Sequence, residues 1–479
     1  MKNLKMVVVL LLLIGGTSCK KFLDLRPEYL ISDENFFRNA NDFQTALTGA
    51  YGTFRGLFSS SNILYMAELT TDNTEIQWSS PSVNEMQLDQ SAVTPTNTYV
   101  NAVWRTCLTT VSRCNTILGR IEKVDMDETV KNQIIGETKF LRAYSYFYLV
   151  RFFGNVPLTF EEFTSPEQIL SADLSLQPKE KVYDVIIADL TSAESILPST
   201  LNTDKTRASI GSVETLLGKV YLTLQKYDSS ATELKKVIDQ KQYTLAASYK
   251  SLFAAGNENL SESILEIDYV SGQTIGNNYS YLFSPSITSM ALFPNNQQGA
   301  GRIVPTLDMI NAYEPNDQRK TASVSDSVSL IDGSRIYDRY GLKFVDFSAV
   351  DVSDGSVSFT VLRYADVLLM YAEALNELNQ PAAALPFVNM VRQRAGLSGL
   401  SALSQVDLRA AIDRERRVEF LYEGKRWFDL LRTGRALTVM NNYYQKMNLK
   451  YSLEDYELLF PIPQSEIDLN AALKQNTGY

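Results

Sequence analysis

Not one of the 479 residues is histidine. That absence closes off Ser–His and Cys–His nucleophile pairs, histidine zinc sites and the side chain that ordinarily shuttles protons near neutral pH. Cysteine is almost as scarce, with only Cys19, Cys107 and Cys114. Cys107 and Cys114 lie seven residues apart on one helical pattern, about 10 Å along the axis, which is too far for a disulfide, so they read as buried thiols. No apolar run reaches the eighteen or more residues of a membrane-spanning helix. No basic run stands out either: 45 Lys and Arg face 55 Asp and Glu, a formal charge of −10, and a nucleic-acid partner has no electrostatic footing. A phosphate loop of the GxxxxGK[ST] type is missing, and DVSDG at 351–355 falls short of a twelve-residue calcium loop, so no cofactor or metal is assigned. Some carboxylate pair for glycoside hydrolysis is always available among so many acids, but no spacing singles one out. The chain does not read as an enzyme.

What is present begins with an address. Lys2 and Lys5 precede the apolar run at 6–14, long enough for a signal-peptide core and far too short for a membrane span. Gly15, Gly16, Thr17 and Ser18 then lead into Cys19. Small residues before a lone cysteine are similar to a bacterial lipoprotein processing site, although Gly16 stands where leucine is usual. Residues 1–18 are therefore expected to be a lipoprotein signal peptide, Cys19 the acylated residue that anchors the protein to a membrane, and 19–31 a tether.

The stretch at 362–397 carries two helical periods back to back. Ala365, Leu368, Leu369, Ala372, Leu375 and Leu378 form one stripe, with Asp366, Glu373 and Glu377 outside it. Asn379, Gln380 and Pro381 break the period, and Ala384, Leu385, Val388, Val391 and Ala395 form a second stripe closed by Gly396, with Pro386 placed in that helix's first turn. Two helices so closely joined must lie antiparallel, and such hairpins resemble tetratricopeptide repeats. Similar patterns run from Ser32 to Gly56, at about 99–121, 128–153 and 180–197. They recur after Ser212, after Ser229 or Ser230, and at 405–440. In the last of these, Asp413 with Arg417, Glu423 with Arg426, and Asp429 with Arg432 have ion-pair spacing, and alternate apolar residues mark a partly buried helix pair.

Two regions lack that period. Residues 59–98 are rich in Ser, Thr, Asn and Pro, too long for an ordinary connection and a candidate functional surface. Residues 242–359 hold short apolar runs among Gly, Asn, Ser and Pro. The expected fold is mainly α: a tetratricopeptide-like helix-hairpin scaffold at about 32–241 and 360–440, an inserted irregular loop-rich lobe with short strands at about 242–359, and a C-terminal extended tail at 441–479, all within one domain spanning 32–479.

Five motifs give the whole a family likeness. GETKFLRAYSYFYLVRFFGNVPL at 136–158, LRYADVLLMYAEALNEL at 362–378, NMVRQRAGL at 389–397, ERRVEFLYEGKRWFDLLRTGRAL at 415–437 and the ending at 459–479 resemble, in order, those of the SusD/RagB family, as does the start CKKFLDLRP at 19–27. Ala471 and Thr477 stand where the family usually has proline. The resemblance implies a lipid-anchored outer-membrane protein of the cell surface in a Bacteroidetes-type bacterium. Such a protein caps a SusC-like TonB-dependent transporter and captures a glycan without cleaving it, with an oligopeptide, as in RagB-type relatives, as the alternative. A glycan site needs an exposed aromatic plate beside short polar groups. Of the three tryptophans, Trp104 and Trp427 fall in helical patterns and Trp78 among loop residues. The expected ligand-binding set is therefore Asp72, Asn73, Gln77 and Trp78, faced by Asn278, Tyr279, Tyr281 and Phe293 of the lobe.

Overall fold

The computed structural model describes residues 36–77, 80–199, 203–273, 275–330 and 332–479. The expectations for the signal peptide, for Cys19, for the tether and for Trp78 lie outside them.

Paired helices build the scaffold: α1 (Ala40–Ser59), α2 (Thr98–Ile121), α3 (Glu128–Phe153), α4 (Lys179–Ile196), α5 (Ile210–Thr223), α6 (Tyr227–Asp239), α7 (Tyr364–Glu377) and α8 (Pro381–Arg394). Each packs against the next, the mainly helical hairpin stack that the sequence patterns predict. Local chemistry fixes the starts. Asn39 accepts from the backbone N–H of Asn41 and Asp42 while the Asp42 carboxylate reaches back, and Asp127 caps α3 through Thr129 and Val130. Helix α3 is buried nearly all round from Ile134 to Phe153 by the other helices. Cys107 and Cys114 are buried free thiols on α2, and burial pushes both thiol pKa values up.

Several local expectations are corrected. Ser209, not Ser212, is the residue before α5, with Ser212 as its partner in the capping box. Lys226 precedes α6, and the Ser230 hydroxyl donates instead to the Gly218 carbonyl at 2.8 Å across the hairpin. Pro386 sits inside α8, because Pro381 already occupies its first turn. Asp366 is fully buried, since the side of α7 it occupies meets Lys219 at 2.6 Å and Arg416 at 2.9 Å. The stretch at 59–98 is not loop throughout: Ile63, Leu64, Tyr65, Met66 and Ala67 are buried in a short helix, Asn62–Ala67, and a second runs Val83–Asp89.

Helices α9 (Gln405–Glu419), α10 (Arg426–Arg432) and α11 (Ala436–Lys446) form the charged element. Of the three expected ion pairs, only Asp429–Arg432 forms, at 2.8 Å. Asp413 turns to Arg426, Arg426 also holds Asp72, and Glu423 binds Lys343, Lys425 and Arg363. Spacing along one helix predicts neighbours on that helix; here the partners come from elements remote in sequence because the helices are enclosed. Arg363 is fully buried and pairs with Glu262, Glu419 and Glu423 at 2.7–2.8 Å. In such a setting a cation or carboxylate is tolerable only while its partners are in place.

The chain between α6 and α7 leaves and rejoins the scaffold through one antiparallel pair, β4 (Ser263–Ile267) with β8 (Phe359–Arg363). Within it lie β5 (Val304–Pro305) and the hairpin of β6 (Val324–Ser329) and β7 (Arg335–Gly341). Strand β1 (Thr74–Glu75) pairs with β5, and the short strands β2 (Val156–Pro157) and β3 (Leu176–Gln177) pair with each other. The tail runs back along the end of α3, where the Phe460 N–H donates to the Phe152 carbonyl at 2.7 Å and the Asn476 amide to Phe153 at 3.1 Å. Gly154, at φ +74, closes α3 with Leu459 only 2.9 Å from where a Cβ would stand.

Candidate functional site

The two irregular regions meet. Thr74 and Glu75 lie in register with Pro305 and Val304, the Thr306 N–H donates to the Asn73 carbonyl, and the Gln77 N–H donates to Gly301 at 3.0 Å. This backbone seam fixes Gln77 at the surface edge of the lobe. Its amide Nε2 donates to Asp338 Oδ1 at 2.7 Å, and the Thr288 hydroxyl donates to Asp338 Oδ2 at 2.5 Å. Asp338 follows Tyr337, which is 65% exposed, along β7, and Ile287 and Met290 flank Thr288 with apolar surface in the open. A carboxylate gathering an amide and a hydroxyl between exposed aromatic and aliphatic groups can accept hydroxyl hydrogens while apolar C–H surface lies against the rings.

A second layer steadies this edge from below. The Arg302 guanidinium lies 5.8 Å from the centre of the half-buried Tyr281 ring and forms an ion pair with Glu85. Glu85, buried, also accepts from the hydroxyls of Tyr65 at 3.3 Å and Tyr99 at 3.2 Å, whose rings stack 4.1 Å apart. Burial raises both phenol pKa values, that of Tyr99 to about 12 with the Glu85 charge as the next cause, so both stay neutral donors at physiological pH.

Matches to known proteins fit this architecture. A family model described as the SusD family covers residues 333–479, and one described as starch-binding and associating with the outer membrane covers 21–222. The chain belongs to the SusD family. Among its relatives, SusD-like protein P2 of Formosa agariphila is 27% identical over 99% of this chain and 98% of its own length. Starch-binding protein SusD of Bacteroides thetaiotaomicron is 24% identical over 90% and 86%. A solved structure of a laminarin-binding SusD-like protein is 28% identical, covers 92% of this chain and all of its own, and superposes with a TM-score of 0.79.

Within this SusD-family fold the residues expected at the ligand site separate. Asp72 belongs to the core: both its oxygens bind Arg426 at 2.9 Å and one meets Arg417 at 3.1 Å. Burial alone would raise its pKa, but those two guanidinium groups bring it down to about 2. Asn73 is buried beside it and accepts from Arg417 at 2.9 Å. Tyr279 is fully buried, its ring against Phe283, Phe344 and Phe359 and its hydroxyl donating to the Phe58 carbonyl at 3.2 Å. These three are corrections: a loop-like composition suggests a surface position, whereas charge pairing and ring packing enclose them. Asn278 is half-buried and accepts from Ser61 at 2.6 Å, a tie between the lobe and the end of α1. Phe293 is nearly buried against the 39%-exposed Phe347, ring centres 5.7 Å apart. Phe347, with Lys250, Phe253, Thr321, Asp346 and Ser348, lines a separate pocket of 300 Å³.

The structure thus joins Gln77 and Tyr281 at one edge and leaves Asn278 and Phe293 elsewhere. Sequence reasoning missed Thr288, Tyr337 and Asp338. No alternation in the run RIYDRYG announces the last two, because exposure falls along the strand from Arg335 to Gly341. Among the described residues no cluster of three His, Cys, Asp or Glu could hold a metal ion.

Proposed function

We propose that this chain is a surface glycan-binding lipoprotein of the outer membrane that captures an oligosaccharide or polysaccharide and hands it, uncleaved, to a SusC-like TonB-dependent transporter. The observation that carries the reading is the half-exposed cluster of Gln77, Thr288 and Asp338 where the two irregular regions meet, on a SusD-family scaffold. In this reading the lobe at 242–359 supplies specificity, the helical scaffold presents it, and the chain from 32 to 479 acts as one domain. Gln77, Tyr281, Thr288, Tyr337 and Asp338 contact the sugar, and Trp78, next in sequence to Gln77, supplies the aromatic plate.

Relatives named for laminarin and starch support these two polymers as first probes. Calorimetry of the purified protein with each, and with a mixed oligopeptide library, tests the reading. Saturable binding of a glycan that leaves the sugar intact is the expected result; binding of peptides alone would replace it. The anchor is tested separately. Cys19→Ala should release soluble protein, and a variant that still sediments with outer membranes in cells lacking the transporter would refute acylation at Cys19.

A further inference from the structure

A second polar space lies inside the scaffold, away from the edge described above. A cavity of 30 Å³ is bordered by α3, α5, α7 and the segment around α10, and its lining includes Arg151, Lys219, Arg416, Lys425 and Arg432 together with the carboxylates Glu423 and Asp429. Four of these cations are matched. Lys219 binds Asp366 at 2.6 Å, Arg416 binds Asp366 and Asp429 at 2.9 Å, Lys425 binds Glu423 at 2.7 Å, and Arg432 binds Asp429 at 2.8 Å.

Arg151 differs from them. Among the described residues no carboxylate stands within ion-pair distance of it; its Nε donates to the Phe147 carbonyl at 2.9 Å. Its guanidinium lies 3.8 Å from the centre of the Phe147 ring, 5.0 Å from that of Tyr148 and 3.6 Å from that of Phe428, so aromatic rings flank it and its remaining N–H groups have no carboxylate partner among the described residues. A guanidinium held in that way is preorganised for an acceptor with two lone pairs.

We propose that this cavity is a site for a small monovalent anion, a halide or a carboxylate the size of formate, bound at the Arg151 edge. Size sets the class, because one water needs about 10–15 Å³ of such space, and 30 Å³ admits little more than an ion or a formate. Charge sets the sign, since Arg151 is the lining cation without a carboxylate. A bound anion would link α3 to the C-terminal charged helices across the cavity and would stabilise the folded chain in proportion to the logarithm of its concentration.

Two measurements on the full-length mature protein test this. Crystals soaked in sodium bromide should show an anomalous peak in contact with the Arg151 guanidinium; a clean map without it overturns the proposal, and this readout needs no variant. Melting temperature should be at least about 2 °C higher in sodium formate than in sodium gluconate at equal ionic strength, because gluconate is too large to enter. Arg151→Met, which keeps an unbranched apolar stem between the rings, should abolish that difference. Equal melting in the two salts, or an undiminished formate effect in R151M, would show that no anion binds there.

Discussion

Two polar regions of this molecule use the same side chains to opposite ends. Around α9 and α10, acids and guanidinium groups are buried against one another: Asp72 with Arg426 and Arg417, Glu419 and Glu423 with Arg363, Asp429 with Arg416 and Arg432. At the lobe edge, Asp338 gathers only an amide and a hydroxyl and stands among exposed Tyr337, Ile287 and Met290. Density of charge therefore does not mark the binding surface here. A buried network has no lone pairs to offer a ligand and fails structurally when one member is lost, whereas the half-exposed cluster can exchange its partners for sugar hydroxyls at little structural cost.

Breaking the buried network should give the largest effect. Arg363→Met removes one cation shared by three carboxylates and leaves uncompensated charge, so unfolding by denaturant should show a loss of about 3–5 kcal/mol or no folded protein at all. A loss below about 1 kcal/mol would mean that the network contributes little.

The next test concerns Asp72, which lies near Gln77 in sequence but belongs to the other region. Asp72→Asn should cost about 1.5–3 kcal/mol of stability through its charged hydrogen bonds to Arg426 and leave the glycan Kd unchanged wherever the protein stays folded. Acid should reproduce the effect in the parent protein. Because the folded pKa values of Asp72 and Asp429 are lowered to about 2, their contribution is present above the ordinary carboxylate range and is lost as pH falls from about 4 toward 2.

Glu68 has the opposite sign. It is fully buried, accepts from the Gly424 N–H at 2.6 Å, and burial raises its pKa to about 8 despite that hydrogen bond. A raised folded pKa favours folding below the ordinary glutamate value, and that contribution is lost as pH rises through about 8. Glu68→Gln, which keeps an uncharged acceptor, should therefore melt higher than the parent at pH 9 and lose its advantage by pH 5; a variant less stable than the parent at pH 9 would contradict the assignment.

The smallest change in stability is expected at the edge. Tyr337→Ala should shift stability by no more than about 0.5 kcal/mol while weakening glycan binding by about 1–3 kcal/mol, as truncation of an aromatic contact does. Binding that survives Tyr337→Ala but is lost on Phe347→Ala would move the site to the 300 Å³ pocket beside Phe293.

The helical scaffold was legible because its signals are local. Periodicity places α3 at 128–153, and Asn379 and Gly396, both at positive φ, punctuate the hairpin of α7 and α8. The site was legible only in part, because Gln77 acquires its meaning from Asp338, 261 residues away. The failures at Asp72, Asn73 and Tyr279 share one cause: composition cannot distinguish a loop that faces solvent from an irregular segment enclosed by other elements. The ion pairs misread within 413–432 fail for the same reason, since spacing along a helix carries no information about Asp72 or Arg363 arriving from elsewhere.

The most direct measurement compares Asp338→Ala with Asp72→Asn, each by glycan calorimetry and by denaturant unfolding in the same buffer. The account predicts that Asp338→Ala raises Kd at least about tenfold with stability unchanged within about 0.5 kcal/mol, and that Asp72→Asn does the reverse. If Asp338→Ala binds the glycan as the parent does, or if Asp72→Asn loses binding without losing stability, the lobe edge is not the binding surface and the assignment of the two regions is wrong.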